Sequence, residues 1–334
     1  LVLSLIIPVI AGLGLNFGIV VGAMAGQIAI TFVRYFDIGG LSGLALCFAL
    51  CIPIAGIFGY FTGLLYNKTR GQEMIASLIV GYFANGIYQF LFLFVVGVII
   101  KVPKTHPLIK PDGVGIRMTV DLGAAKDGGL SDSLNKIWEI PFMWAVLAIA
   151  AAILVLLALR NFNNKKNNIK ISKNNQTMTY VNMGCAVAVI LFSLYCIVSN
   201  NSFMKVREVP VVTGLFIIGL CAFTELIMRT KLGQDFKSVG QSQHIAEVSG
   251  INVDRTRIIA VVISTILAAW GMIIYLQDMG TLNTYNAHTN IGMFSVASIL
   301  VGGASTSKAN IKNAIIGVIL FNSMFIMSPE IGQA

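Results

Sequence analysis

In this 334-residue chain, residues with neutral amide or hydroxyl side chains are the ones whose types and spacing indicate a chemical role. Tyr82, Asn85 and Gln89 follow an i, i+3, i+7 spacing inside a long apolar run, which places them on one face of a helix. Hydrogen-bonding groups beside aromatic rings suit a neutral polyhydroxylated or heterocyclic solute. These three residues are therefore candidates for a solute pathway.

Other polar residues extend this candidate set. Asn16 and Gln27 interrupt the first apolar run, and Asn286 lies in a polar stretch near the C-terminal end. The alternative is that such amides only join neighbouring membrane helices by hydrogen bonds. Both interpretations remain open for every one of these residues.

Catalytic and metal-binding constellations are absent from the sequence. His106, His244 and His288 fall between the apolar runs, no H-E-x-x-H motif occurs, and the five cysteines lie inside apolar runs as small core residues. No G-x-x-x-x-G-K-[ST] loop for a nucleotide phosphate is present either. We therefore expect no catalytic residue, no metal site and no cofactor bound by this chain.

The elements that carry these residues must be membrane helices. Of the residues, 56% are hydrophobic and only 11% are charged, against about 25% charged in soluble domains, so the chain cannot cover a surface that faces water. A helix needs about 20 apolar residues to span a bilayer. The expected fold is an all-α polytopic transmembrane bundle. Uncharged runs cover 1–33, 41–66, 74–100, 141–159, 180–200, 211–224, 258–277, 291–307 and 313–328.

Two of these runs predict broken or re-entrant helices. The run 1–33 is long and contains several glycines, and 291–307 is short enough to cross only half of the membrane. We also expect both termini to be truncated, because no initiating Met precedes Leu1 and the chain stops just after an apolar run.

The basic residues predict the orientation. They cluster at 68–70, 160–173 and 229–257, which places the loops 161–178 and 229–257 in the cytoplasm by the positive-inside rule, and the net charge of +9 does not indicate nucleic acid. The loops 101–140, 201–210 and 278–290 then face outward. Glu225 and Arg229 are spaced to pair on one helix face at a cytoplasmic end.

The uncharged runs contain no Asp, Glu, Lys or Arg. Ion-coupled and proton-coupled carriers usually need ionisable groups inside the membrane. Transport by this chain would therefore be energised by another subunit or be passive.

The charged segment 231–259 stands between two apolar runs. Within it, "SQHIAEVSGI" predicts about two helical turns that end at Gly250. A short cytosolic helix between two membrane spans suits docking of a partner, and the alternative is an ordinary solvated surface helix.

This segment also carries a family resemblance. It resembles the cytoplasmic loop of ABC-importer permeases of the ribose, simple-sugar and branched-chain amino acid class, and "ILVGGASTSKAN" is similar to the glycine-glycine-serine turn of that family, although Lys308 and Ala309 depart from it. "TRGQEMIASLIVGYFANGIYQF" is similar to the nucleoside-importing branch. The matching residues are Thr230, Gly233, Gly240, Ala246, Ser249, Gly250, Ile251, Arg255, Gly302, Gly303 and Ser305.

The resemblance implies a single permease domain over 1–334 in a bacterial cytoplasmic membrane. Its implied partners are an ABC ATPase that uses ATP and Mg²⁺, a second permease subunit in a homodimer or heterodimer, an extracytoplasmic solute-binding protein and membrane lipid. The expected small-molecule solute is a simple sugar, with a nucleoside importer or a passive channel as alternatives. The residues implied to couple to the ATPase are Gly240, His244, Ala246, Glu247, Ser249 and Gly250.

Overall fold

α-Helices make up most of the residues that the computed structural model describes, which are 1–95, 108, 116–123, 129–166, 173–199 and 208–331. In chain order these helices are α1 (Ile6–Ile10), α2 (Ile19–Tyr35), α3 (Gly40–Lys68), α4 (Glu73–Phe90), α5 (Phe142–Lys166), α6 (Lys173–Val198), α7 (Val211–Arg229), α8 (Lys231–Gln241), α9 (Gln243–Val248), α10 (Val253–Met279), α11 (Ala287–Val301) and α12 (Ile311–Ile331).

Six of the described helices are long and apolar enough to cross a membrane. They correspond to six of the uncharged runs, which confirms the polytopic helical fold expected from composition. The crossing segments are Gly40–Lys68, Phe142–Asn161, Met178–Val198, Val211–Arg229, Val253–Met279 and Ile311–Ser328.

Short strands, which the sequence pattern did not predict, join the regions assigned to the outer side. β1 (Thr119–Asp121) pairs antiparallel with β4 (Thr281–Asn283), and β2 (Glu139–Pro141) pairs antiparallel with β3 (Glu208–Pro210). Each pair forms a separate two-stranded sheet.

The chain forms two compact units. Unit 1 comprises Leu1–Ser133 and Phe216–Ala334, and unit 2 comprises Leu134–Leu215. In unit 2, α5 and α6 pack on each other. The candidate residues of the sequence analysis all lie in unit 1.

The core of unit 1 is built on α10, which packs against α2 and α3. Glycines allow the backbones to approach closely: a Cβ atom at Gly59 of α3 would lie 2.8 Å from the Cα of Val262, and one at Gly63 would lie 3.0 Å from the Cα of Ile258. Small residues at helix contacts are the usual means of tight packing in membranes. α3 and α10 therefore form one closely packed pair.

The first apolar run is broken, as predicted. α1 ends at Ile10, and Gly12 and Gly14 adopt left-handed φ angles of 76° and 70° before α2 begins. A side chain is disfavoured in that conformation. Asn16 follows within the break and ties it to α3, as described below.

The run 291–307 contains a helix that ends at Val301, before the run does, as expected of a broken helix. α11 has 15 residues and is therefore about 22 Å long, which is shorter than the roughly 30 Å hydrocarbon core. Gly303, with a φ of 84°, turns the chain, and Asn313 Nδ2 on α12 donates to Gly302 O at 2.8 Å. Ser305 Oγ accepts the Lys308 N–H at 3.1 Å, so the turn is closed despite the departure from the family pattern.

The loop boundaries need correction. α5 continues to Lys166 and α6 begins at Lys173, so the helices extend into the predicted loop 161–178, because polar residues at a helix end can remain helical in water. The predicted coupling loop 229–257 is mostly helical, and its last residues already belong to α10. Of the predicted outer loop 101–140, only 108, 116–123 and 129–140 lie within the described residues.

Candidate functional site

The polar face of α4 meets the start of α11. Asn85 Oδ1 lies 2.8 Å from His288 Nε2 and also accepts a hydrogen bond from Gln89 Nε2 at 3.2 Å. The structure therefore brings together two of the three residues predicted to share this helix face, and adds an imidazole from a residue 203 positions along the chain.

Tyr88 completes this group, which we call the α4–α11 cluster and define as Asn85, Tyr88, Gln89 and His288. The Tyr88 ring contacts the His288 ring edge-on, with centroids 5.0 Å apart. Both side chains are buried. Among the described residues, none provides a hydrogen-bond partner for Tyr88 Oη or His288 Nδ1. Since buried polar groups are normally paired, these two atoms have capacity to bind a ligand or water.

Gln27 of α2 approaches the segment that leads into α11. Its Nε2 donates to Asn283 O at 3.2 Å, and its side chain is buried. Gln27 Oε1 has no hydrogen-bond partner within the part of the chain that the structure describes. Gln27 thus adds a third buried atom with unused hydrogen-bonding capacity.

An apolar cavity of about 360 Å³ lies between α2, α3 and α4. Met24, Phe58, Phe61 and Phe83 contribute to its wall, and Tyr88 lines it as well. Because Tyr88 belongs to both the cavity and the α4–α11 cluster, an aromatic and apolar space adjoins a group of neutral hydrogen-bonding atoms. This combination is typical of sites for small organic ligands.

The remaining predicted pathway residues lie elsewhere. Asn16 is buried, and its Oδ1 accepts from Tyr66 Oη at 2.7 Å and from the Gly18 N–H at 2.9 Å, which fits the alternative of a structural amide. Tyr82 is 68% exposed and lies outside the cluster. Asn286 is exposed at the N-terminal cap of α11.

Sequence reasoning placed His288 in a loop and did not single out Tyr88. The apolar run was read from Ile291, whereas α11 begins at Ala287. Asn286 is a favoured type of N-cap residue, and this signal could have moved the predicted helix start back by one turn. No feature of the sequence distinguished Tyr88, because any residue of an apolar run can face the interior.

The charged segment forms two helices separated at Ser242. The Ser242 side chain accepts the Ile245 N–H at 3.4 Å, which begins α9, and Gly250 ends it with a φ of 81°. The predicted short helix and its glycine stop are therefore confirmed. Gly240 belongs instead to the end of α8, where a Cβ atom would collide with Ile10 O.

The two faces of α9 differ in burial. Ala246 is buried against Val239 of α8 and Val253 of α10, so its side chain supports the helix from inside. Ile245 and Val248 point outward with 67% and 78% of their surface exposed. Sequence reasoning did not select these two apolar residues, although their presence in a polar segment was visible.

The other residues that the sequence analysis assigned to ATPase coupling lie on or beside the exposed part of α9. His244, Glu247, Ser249 and Gly250 are all exposed. Glu247 Oε1 lies 3.8 Å from Arg70 Nη1, and Ser249 Oγ donates to Ile245 O at 2.8 Å. Within the described residues, no group of three His, Cys, Asp or Glu side chains could hold a metal ion.

Comparison with known proteins identifies the family. The model of the family described as "Branched-chain amino acid transport system / permease component" matches residues 1–333. This chain belongs to that permease family. With its six long apolar helices, it is a multi-pass protein of the cytoplasmic membrane.

One curated relative is similar to part of this chain. The nucleoside ABC transporter permease protein NupB of Lactococcus lactis subsp. cremoris (strain MG1363) is 28% identical over 108 residues, which are 32% of this chain and 28% of the relative. The match thus spans little more than a quarter of the relative's length. No solved structure matches the chain significantly.

Proposed function

We propose that this permease-family chain lines the membrane pathway of an ATP-driven importer and that α9 seats in a groove of the ATPase. The proposal rests on the burial pattern of α9, in which the Ala246 side chain is buried while Ile245 and Val248 are exposed. A short helix with apolar side chains on its free face is suited to a hydrophobic groove of a partner. ATP and Mg²⁺ would be held by that partner.

The pathway would be completed by a second permease subunit, the same chain or a related one, and an external binding protein would deliver the solute. Closure of the ATPase would move α9, and the attached helices would change the side to which the solute site opens, as a two-state switch. The long apolar runs, which contain no Asp, Glu, Lys or Arg, fit a carrier that is energised by ATP in its partner rather than by an ion gradient.

We propose a nucleoside as the solute, in preference to the simple sugar expected first. A nucleoside joins an aromatic base to a hydroxylated ribose, and the apolar cavity beside Tyr88 suits the base, while the neutral groups of the α4–α11 cluster suit polar edges and hydroxyls. The printed name of the similar Lactococcus protein points in the same direction.

Uptake into proteoliposomes tests both parts of the proposal. The chain would be reconstituted with its ATPase and binding protein, and radiolabelled uridine, adenosine and ribose would be supplied with ATP enclosed. We expect uptake of a nucleoside that requires ATP and fails with a non-hydrolysable analogue. If only ribose were taken up, the solute would be the sugar and not a nucleoside. Uptake that does not depend on ATP would favour a passive channel.

Docking can be tested separately on α9. Val248→Glu places a charge on the exposed apolar face, and we expect it to abolish co-purification of the ATPase without changing the yield of the membrane subunit. Gln241→Glu, an exposed substitution at the end of α8, is the matched control. Ala246→Trp would be a poorer test, because overfilling a buried position disturbs folding itself. Full ATPase binding by Val248→Glu would contradict docking at α9.

A further inference from the structure

Charged residues connect α9 to the cytoplasmic end of α4. Arg70 lies in the turn between α3 and α4, where its Nη2 contacts Asp254 Oδ1 at 2.5 Å and its Nη1 lies 3.8 Å from Glu247 of α9. The hydrogen bond to Asp254 raises the pKa of the Arg70 guanidinium, which favours its protonated, positively charged form. Asn67 Nδ2 of α3 also donates to Asp254 O at 2.9 Å. The junction of α9 and α10 is thus attached to the α3–α4 turn.

One turn along α10, Arg257 makes a second connection. Its side chain is fully buried, pairs with Glu73 in the first turn of α4, and also donates to Tyr66 O at 3.4 Å. Within the described ranges, Arg257 Nε and Nη1 have no hydrogen-bond partner. Loss of either member of a buried ion pair leaves an uncompensated charge in the interior. Separating α4 from α10 would therefore leave two unpaired charges in the interior, whereas the exposed Arg70 contacts contribute little.

α4 is an edge helix of unit 1 with space beside it. Ile75, Ile79 and Phe83 of α4 are exposed, and the apolar cavity separates part of the helix from α2 and α3. α3 and α10, in contrast, touch through Gly59 and Gly63 without a gap. Packing thus leaves α4 freer to shift than the α3–α10 pair.

α4 also contains Asn85, Tyr88 and Gln89, which are proposed to contact the solute. Asn85 follows Glu73 by 12 positions, and it therefore lies about 18 Å along α4 from the ion pair. A continuous helix transmits a displacement at one end to the other, so a shift of Glu73 would change the position of Asn85 and of Tyr88 relative to His288.

We propose that the Arg257–Glu73 ion pair is the link by which movement of α9 and the start of α10 displaces α4 and remodels the α4–α11 cluster. Arg257 and Glu73 are positioning residues, because they touch neither solute nor nucleotide. The inference rests on the proposed importer function and adds the route between docking and solute release.

Glu73→Gln tests the link in the complete assembly. The variant keeps the shape of the side chain and removes its charge. We expect ATPase co-purification and ATP hydrolysis to remain, while solute taken up per ATP hydrolysed falls at least tenfold. The double reversal Glu73→Arg with Arg257→Glu should recover part of that ratio. Glu225→Gln, which breaks the exposed pair with Arg229 on α7, is the matched control and should leave the ratio unchanged.

A second measurement applies even if Glu73→Gln does not fold. Nitroxides on genetically encoded residues at the exposed positions Ile57 of α3 and Ile79 of α4 would report their distance by electron paramagnetic resonance in assemblies diluted with unlabelled chain. We expect the distance distribution to change between nucleotide-free and ATP-bound assemblies. An unchanged distribution would overturn the link.

Failure of the link and failure of the importer function give different results. Absence of ATP-dependent uptake by the unmodified chain would overturn the importer function. Normal uptake per ATP by Glu73→Gln, beside an active unmodified chain, would overturn only the link.

Discussion

Two neutral polar clusters of unit 1 use similar side chains and differ in whether they contain buried polar atoms without a hydrogen-bond partner among the described residues. Around Asn16, one amide oxygen satisfies both the Tyr66 hydroxyl and the Gly18 N–H. In the α4–α11 cluster, Tyr88 Oη and His288 Nδ1 remain buried without a partner among the described residues. A cluster whose buried acceptor is shared within the protein joins neighbouring segments, whereas one with unpartnered buried atoms keeps capacity for a solute.

The largest expected effect is on stability, at Asn16. Asn16→Leu would remove the acceptor that the Tyr66 hydroxyl and the Gly18 N–H share, at a cost of about 1–3 kcal/mol for each group left unpaired. We expect a clear fall in the thermal unfolding temperature of the purified chain in detergent.

Asn322→Ala is the control for this substitution, because the Asn322 amide is exposed on α12 and donates to Val318 O of its own helix. It should leave the unfolding temperature nearly unchanged. Normal stability of Asn16→Leu with loss of uptake would instead make Asn16 a pathway residue, as the sequence pattern suggested.

The next largest effect is expected on uptake, at His288. His288→Phe keeps a ring beside Tyr88 and removes both ring nitrogens, and loss of one or two hydrogen bonds to solute at about 0.5–1.5 kcal/mol each predicts roughly tenfold slower uptake. Initial uptake rates at limiting solute would measure it, with thermal unfolding as the folding control. An unaltered rate would show that His288 only supports the helix contact.

A smaller effect is expected at the α4 amides. Asn85→Ala and Gln89→Ala each remove one neutral hydrogen-bonding side chain, which predicts a several-fold decrease in uptake at about 0.5–1.5 kcal/mol. Asn85→Ala should have the greater effect, because Asn85 contacts both His288 and Gln89. ATPase co-purification should be unaffected. If both variants transport normally, these amides are structural.

The smallest effect is expected at Tyr82. Its exposed side chain lies outside the α4–α11 cluster, so Tyr82→Phe should change uptake by less than about twofold, the scale of a surface substitution without a partner. The measurement is the rate of nucleoside uptake by the variant, compared with the rate of the unmodified chain. A tenfold loss would extend the pathway to the exposed face of α4 and weaken the distinction between the two clusters.

Local features were predictable because they depend on neighbours in the chain. The Glu225–Arg229 pair forms as its i, i+4 spacing indicates, with Arg229 Nε 3.0 Å from Glu225 Oε1. The break after α1 follows from its glycines, and the end of α9 follows from Gly250. The interior face of each membrane helix was not predictable in the same way, because lipid and protein core are both apolar and hydropathy does not distinguish them.

The amino-acid sequence by itself determined the membrane class, most of the spans, the broken first helix and the short helix α9, because apolar length, glycine conformation and capping act over a few residues. Only the tertiary structure decided which polar groups meet. Asn85 and His288 are separated by 203 positions, and Glu73 and Arg257 by 184. The burial of Ala246 likewise depends on Val239 and Val253 in adjacent helices. Such contacts arise from helix packing across the whole unit, and no local pattern encodes them.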